Sequence, residues 1–495
     1  VKRVLSEKQP PSKYGESFSR WFEWIIQEAE IYDYGRYPVK GMGVWMPYGF
    51  QIRRRVVELI RRLLDEKGHE EILLPLLIPE TIFRKESEHV RGFEEQVFWV
   101  TKAGGEELDV KLVLRPTSET VLSYMESLWI KSYKQLPKKY YQIVSMFRYE
   151  TKMTKPMIRL REVTTFKEAH TLHETFEDAE RQVLEAIEIY RRFFDELGIP
   201  YVISRRPQWD KFAGALYTIA FDTVMPDGRV LQIGTVHHLG QTFTKVFEVR
   251  IQRRDESIGY AWQTSYGISD RVIACVIAYH SDERGLMLPS IVAPIQVVIV
   301  PIPAPKDPEK TGLVMDYARG IYDELKRHGI RIKLDDREEL RPVDKYFEWE
   351  LKGPPLRVEV GPREVERSQV TLFRRDSMKR IVVPRSELVQ SVQRLLGEID
   401  EALRKRSWEW FRSRVRTFSS IDDAVEFVRR EGGIAQIPWC GDERCAADLE
   451  AKLGEGIRVL GSPVHSIERV EPPKDAKCPV CGRRAVTYLR IGKSY

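Results

Sequence analysis

The 495 residues are 42% hydrophobic and include 11 Trp, 21 Tyr and 20 Phe, ample for packed cores in about three domains at ~150 residues each. Charged residues make up 31% of the chain and the net charge is +6, which permits an anionic partner such as RNA without requiring one. No window is apolar for the length of a membrane span, the opening "VKRVLSEKQPPSKYGESF" lacks a signal-peptide core, and an odd set of 5 Cys does not read as a disulfide framework. The expectation is a cytoplasmic protein without membrane association.

"ESFSRWFEWIIQEAEIYDYG" reads as an amphipathic helix closed by Gly35. "YGFQIRRRVVELIRRLLDEKGH" is a clearer one, with Ile52, Val56, Leu59, Ile60, Leu63 and Leu64 at helical spacing and Gly68 as its stop. "EEILLPLLIP" follows as an extended apolar segment. "VKLVLRPTSETVLSYMESLWIKSY" reads as strand, tight turn and helix, with Thr117 or Ser118 at the N-cap and Glu119 in the first turn. "KKYYQIVSMF" is an apolar strand that leads straight into "RYETKMTKPMIRLRE", a run crowded with charge. A long helix, "TFEDAERQVLEAIEIYRRFFDELGIP", ends at Gly198 and Pro200, and strands alternate with turns to about Arg250.

Near "GLMLPSIVAP" the pattern changes. Short β-rich runs ("IQVVIVPIP", "RIKLDDR", "LRVEVGP") alternate with helices, which predicts a small α/β domain with parallel strand pairs. A long helix within "LVQSVQRLLGEIDEALRKRSWEWFRSRV" leads into a last region that holds four cysteines. Cys440 and Cys445 form one close pair and Cys478 and Cys481 a second, in "CPVCG". Two pairs at ligand spacing predict a closed, structural Zn²⁺ site. Cys275, alone in "RVIACVIA", reads as a small core residue.

The common nucleotide fingerprints are missing: there is no GxxxxGK[ST], and "GMGVWMPYG" lacks the third Rossmann glycine. "GHEEILLPLLIP", "FRYE…RLRE" and "SYGISDRVIACVIA", in that order, resemble motifs 1, 2 and 3 of the class II aminoacyl-tRNA synthetases. "LRPTSETVL", "KFAGALYT", "LQIGTVHHLGQTF", "HSDERGLMLP", "LDDREELRPVDKYFEWELKG" and the final "GKSY" narrow the resemblance to the archaeal and eukaryotic type of prolyl-tRNA synthetase, from about Phe18 to Tyr495. Another class II synthetase, or a non-catalytic RNA-binding relative, is the alternative.

The resemblance implies an α+β catalytic domain over residues 1–290, with an antiparallel sheet flanked by helices. It implies an α/β anticodon-binding domain over 291–395 and a zinc-binding α/β domain over 396–495. It implies a homodimer that joins L-proline to tRNA(Pro) with ATP and Mg²⁺ through prolyl-adenylate. Arg148 and Arg271 take the motif 2 and motif 3 arginine positions, and an arginine fork suits a polyphosphate. Glu150, Arg159, Gln232, Thr235 and Ser269 join them around ATP. Thr117, Glu119, Arg148, Phe166, Glu168, His170, Phe212 and His237 surround proline, whose secondary ammonium needs a carboxylate. His173 and His238 read as structural or exposed. Arg337, Lys345, Trp349 and Glu350 are the anticodon candidates. Tyr495 corresponds to a terminal tyrosine that tucks back toward the catalytic domain. Val163 stands where an adenine-stacking aromatic is usual. The span from His170 to Gly267 leaves no room for an inserted editing domain.

Overall fold

The computed structural model describes residues 10–85, 94–454, 456–468 and 470–495. The elements that matter for function, in chain order, begin with α1 (Phe18–Glu28), α2 (Pro47–Asp65), β1 (Glu70–Glu71), α3 (Glu119–Trp129), β2 (Lys138–Phe147) and β3 (Glu162–His173). They continue with α4 (Phe176–Leu197), β4 (Val202–Arg205), β5 (Tyr217–Val224), β6 (Val230–Gly240), β7 (Trp262–Ile268) and α5 (Arg271–His280). The second region holds β8 (Val297–Pro301), α6 (Pro308–Arg327), β9 (Ile332–Leu334), α7 (Pro342–Lys352), β10 (Leu356–Val360), β11 (Gln369–Arg374), β12 (Arg380–Pro384) and α8 (Leu388–Ser413). The third holds β13 (Val415–Thr417), α9 (Ile421–Arg430), β14 (Ile434–Trp439), α10 (Glu443–Glu450), β15 (Ile457–Pro463) and β16 (Thr487–Lys493).

α2 starts with Pro47 in its first turn and buries Ile52, Val56, Leu59, Ile60, Leu63 and Leu64. α4 starts where Thr175 Oγ1 accepts from Asp178 N–H at 3.1 Å and stops at Gly198, whose φ of 66° is left-handed. α5 buries every residue after Arg271. These helices share one core that includes Tyr266 and Phe221 of the sheet. α1 is shorter than its periodicity suggests. Glu30 turns left-handed at φ 57°, and Tyr32–Tyr34 becomes a strand paired with Gly43–Trp45. At α3 the N-cap is Ser118, but its hydroxyl accepts from Gln142 Nε2 at 2.9 Å instead of capping the helix.

The central sheet runs in the order β13-β14-β16-β15-β4-β5-β6-β7-β3-β2-β1. From β4 to β2 every pairing is antiparallel. The span between His170 and Gly267 is filled by the rest of β3, by α4, by β4 to β7, and by a short helix (Thr242–Val246) and a hairpin (Arg250–Gln252 with Ile258–Tyr260) between β6 and β7. The third region is not a detached unit: β15 pairs with β4 through Ser462 opposite Arg205 and Pro463 opposite Ser204, so one sheet passes through both. α8 is a single 26-residue helix across position 395.

The second region has its own sheet, β9-β8-β10-β11-β12. β8 pairs in parallel with β9 and β10, as the alternation predicted, while β11 and β12 add antiparallel pairs at one edge. Among the described residues no helix is long and apolar enough to cross a membrane.

Candidate functional site

Side chains two apart on a strand share a face. That places Phe166, Glu168 and His170 of β3 together, with Thr235 and His237 of β6 and Ser265 and Gly267 of β7. Register aligns them in rows. His237 faces Ser265, which faces His170; Thr235 faces Gly267, which faces Glu168. Over these rows lies a cavity of about 360 Å³ lined by Thr117, Glu119, Arg148, Glu150, Arg159, Val163, Phe166, Glu168, Phe212, Gln232, Thr235, His237, Ser269 and Arg271. Of the residues expected around proline and ATP, His170 alone does not line it.

One end of the cavity is carboxylate-rich and sealed. Glu119 accepts hydrogen bonds from Thr117 Oγ1 and from Ser265 Oγ, the latter at 2.9 Å. Glu168 accepts from Gln142 Nε2 at 2.6 Å and from Ser118 N–H at 3.2 Å. His170 stands behind it, with Nε2 3.2 Å from Glu168 Oε2 but outside hydrogen-bonding alignment. Burial alone would lower the His170 imidazole; Glu168, Glu119 and Glu126 together lift it above its ordinary value. His237 goes the other way. Burial lowers it to about 4, so it is neutral at pH 7, and its Nδ1 lies 2.9 Å from Thr218 Oγ1. Phe212 packs beside it, ring centroids 4.7 Å apart.

The other end is cationic. Arg148 leaves the end of β2, donates from Nε to Pro116 O at 3.1 Å, and lies over Phe166 at 5.5 Å from the ring centroid. Arg271, the first residue of α5, donates from Nε to Ile158 O at 2.9 Å and from a terminal nitrogen to Gln232 O at 3.0 Å. Asp270 beside it accepts from Thr164 N–H at 2.8 Å, which ties the helix start to β3. Burial, then the like charges of Arg148 and Arg159, lower Arg271 to about 10, so it stays protonated at neutral pH. Three guanidinium groups held near one another in a buried cavity call for a polyanion. Arg159 Nε sits 3.9 Å from Glu150 Oε2.

Lys211, Thr218, Ser265 and Gly267 also line the cavity and were not picked out from the sequence. Ser265 had a signal: it alternates with Gly267 along one strand face, two residues before Ser269. His173 lies 2.8 Å from Thr171 Oγ1, and His238 packs on Phe176; neither lines the cavity.

In the second region Arg337 forms ion pairs with Asp335 at 2.7 Å and Glu348 at 3.0 Å. Lys345 and Trp349 are buried, donating to Asp335 O at 3.0 Å and Asp335 Oδ2 at 2.8 Å. Glu350 is buried against Arg357 at 3.3 Å. Arg337 and Trp349 line a groove of about 310 Å³; Lys345 and Glu350 do not.

In the third region the sulfurs of Cys440, Cys445, Cys478 and Cys481 lie within 4.8 Å of one another. Cys440 and Cys481 are 3.6 Å apart, close to the ~3.8 Å edge of a tetrahedron with ~2.3 Å metal–sulfur bonds. Arg483 Nε is 3.3 Å from Cys481 Sγ and holds that thiol below its ordinary value, whereas burial pushes Cys440 and Cys445 up. The set fits one structural metal ion. Cys275 is buried in α5 beside Met225.

Residues 98–280 match the tRNA synthetase class II core domain (G, H, P, S and T), 296–395 the anticodon binding domain, and 421–495 the C-terminal domain of prolyl-tRNA synthetase. The proline–tRNA ligase of Aeropyrum pernix is 59% identical over 98% of this chain and 99% of its own length. That of Sulfurisphaera tokodaii is 57% identical over 99% of this chain and 100% of its own. Among solved structures, Giardia lamblia prolyl-tRNA synthetase in complex with prolyl-adenylate is 37% identical with a TM-score of 0.95, covering 99% of this chain and 100% of that one. With a relative this similar over nearly the whole chain, and a cavity that joins buried carboxylates to converging arginines, the chain belongs to the prolyl-tRNA synthetases of archaeal and eukaryotic type, within the class II aminoacyl-tRNA synthetases.

Proposed function

We propose that this chain, a proline–tRNA ligase, activates L-proline at the carboxylate-rich end of the cavity and ATP at the arginine end. The observation that carries the reading is that Arg148 and Arg271, 123 positions apart in sequence, line the same cavity as Glu119. Proline's secondary ammonium takes the place beside Glu119 and Thr117, with Glu168 behind, and its ring lies against Phe166, Phe212 and neutral His237. Its carboxylate oxygen attacks the α-phosphorus. A new O–P bond forms, the bond to the β-phosphate oxygen breaks, and pyrophosphate leaves. Arg148, between the two ends, faces the charge that gathers on the α-phosphate; Arg271 and Arg159 hold the outer phosphates, where charge accumulates on the leaving group. Glu150, Gln232, Thr235 and Ser269 hold the nucleoside. The prolyl group then passes from the adenylate to a terminal ribose hydroxyl of tRNA(Pro), with AMP as leaving group.

Mg²⁺ would be carried in by the nucleotide. Among the described residues the groups of three or more potential ligands are the four cysteines and Glu119–Glu168–His170, and the second belongs to the end of the cavity assigned to proline. Such an ion would supply further positive charge to the phosphates beside Arg148, Arg159 and Arg271. Zn²⁺ is the ion assigned to the four thiolates. Arg337 and the groove beside Trp349 are the anticodon surface, with Lys345 and Glu350 as its internal supports. A homodimer is supported by the exposed apolar side chains of Leu73 (80% exposed), Leu76 and Leu77 in one segment and of Leu128 and Trp129 at the end of α3. The cytoplasm, where tRNA is charged, is the assigned compartment.

Amino-acid-dependent exchange of pyrophosphate into ATP tests the reading. Proline supports exchange and threonine and glycine do not. Exchange driven by either of those in place of proline would overturn it.

A further inference from the structure

Two β-bulges from different regions face one buried arginine. In the β5–β6 pair Phe221 opposes Gly234 and Asp222 opposes Gln232, so Ile233 is the extra residue and Gln232 is re-aimed into the cavity wall. In the β15–β16 pair Val459 opposes Ile491 and Gly461 opposes Arg490, so Leu460 is extra and its carbonyl is released from the ladder. Between them lies Arg206, 4% exposed.

One terminal nitrogen of Arg206 donates to Asp222 Oδ2 and to Leu460 O, both at 2.6 Å. The other donates to Asp222 Oδ1 at 2.7 Å and to Gln232 Oε1 at 3.1 Å. Its Nε lies 3.4 Å from Asp210, another residue of the cavity wall, outside hydrogen-bonding alignment. A guanidinium can only donate, so Gln232 must turn its oxygen to Arg206 and offer the cavity its NH₂. The main-chain oxygen of the same Gln232 accepts from Arg271. A path of hydrogen bonds thus runs from the third region, through Leu460, Arg206 and Gln232, to the motif 3 arginine.

We propose that Arg206 is a positioning residue for the nucleotide: it fixes the Gln232 carboxamide as a donor to an acceptor atom of ATP, and it is itself held in place by the docked third region. The proposal rests on the assignment of Gln232 to the ATP end. It makes nucleotide affinity depend on a strand, β15, that lies outside the cavity. The contact is close. A Cβ at Gly461 would stand 2.0 Å from Arg205 O, so only glycine permits β15 to approach.

The test is pyrophosphate exchange by the full-length, metal-loaded enzyme, with KM measured separately for ATP and proline. Arg206→Lys keeps a cation for Asp222 but loses the fork, and Gly461→Val pushes β15 away. Both raise the ATP KM about tenfold, the worth of one hydrogen bond to a charged group, with proline KM changed less than twofold. Gln232→Met raises the ATP KM similarly, and the Arg206→Lys/Gln232→Met double variant is no worse than the worse single variant. An unchanged ATP KM in Arg206→Lys, alongside a raised one in Gln232→Met, overturns the positioning role alone. An unchanged ATP KM in Gln232→Met overturns the assignment of Gln232 to ATP and the proposal with it. Equal rises for ATP and proline mark Arg206 as merely structural and overturn it too. If Arg206→Lys fails to fold, Arg206→Met/Asp222→Leu, which removes both charges of the pair, takes its place under the same criteria.

Discussion

The cavity and the four-cysteine cluster are both charged sites, assembled in opposite ways. The cysteines come from two short segments, 440–445 and 478–481, whose sulfurs need only local turns to meet. The cavity gathers Thr117, Arg148, Glu168, His237 and Arg271 from five separate places in the chain; strand register positions Glu168 and His237, while the ends of β2, α3 and α5 deliver the others. Loss of a ligand should therefore unmake the first site structurally, whereas loss of a lining side chain should leave the second standing and disable its chemistry.

Metal removal tests that contrast most severely. Structural zinc sites in small domains supply on the order of 10 kcal/mol to folding. Stripping the metal, or Cys478→Ser, is expected to give residues 421–495 an early unfolding transition and open them to protease, while α2, α4 and the strands β5 to β2 keep their own later transition. A single unshifted transition would show that the cysteines hold nothing essential.

Arg148→Ala gives the opposite signature. Adenylate formation should fall by about a thousandfold, in the range seen when a group that stabilises developing charge is removed. The thermal transition should move little, because Arg148 lies at a strand end rather than in the core. A comparable drop in melting temperature would mean that the arginine is structural and that the cavity does not differ from the cysteine site in the way described.

The same contrast explains what the sequence alone discloses. Ligand spacing is local, so Cys440, Cys445, Cys478 and Cys481 stand out without any fold. Arg148 and Arg271 stand out only through resemblance to known motifs, because nothing in "FRYE" or "SDRV" says that they converge. Ser265 and Thr218 pass unnoticed, since a hydroxyl on a strand reads as ordinary until α3 brings Glu119 against the one and register sets His237 against the other. The burial of Lys345 and Trp349 is equally hidden: Asp335, at the end of β9, supplies partners for both, and helix periodicity carries no trace of it. The continuous sheet through the first and third regions rests on two residue pairs at β15 and β4, with no composition signal. Neither bulge contains a proline, and the one glycine at β15 matters both for its φ of 102° and for the backbone that it approaches.

The smallest expected effect lies where the two regions touch. Tyr495, the last residue of this sequence, donates from its hydroxyl to Asp227 at 2.8 Å, and Lys155 Nζ stands 4.8 Å over its ring. Lys155 belongs to the loop between β2 and β3, where its N–H donates to Arg159 O and its carbonyl accepts from Arg159 N–H, both at 2.9 Å. The tyrosine therefore steadies the loop that carries Arg159 without touching the cavity itself. Deleting Ser494 and Tyr495 should slow pyrophosphate exchange a few-fold, about 1 kcal/mol of lost alignment, and leave the metal site and both unfolding transitions in place. An unchanged rate would mean that the loop holds its shape unaided. A thousandfold loss would place the tyrosine among the reacting groups, which its 2.8 Å bond to Asp227 and its position outside the cavity lining argue against.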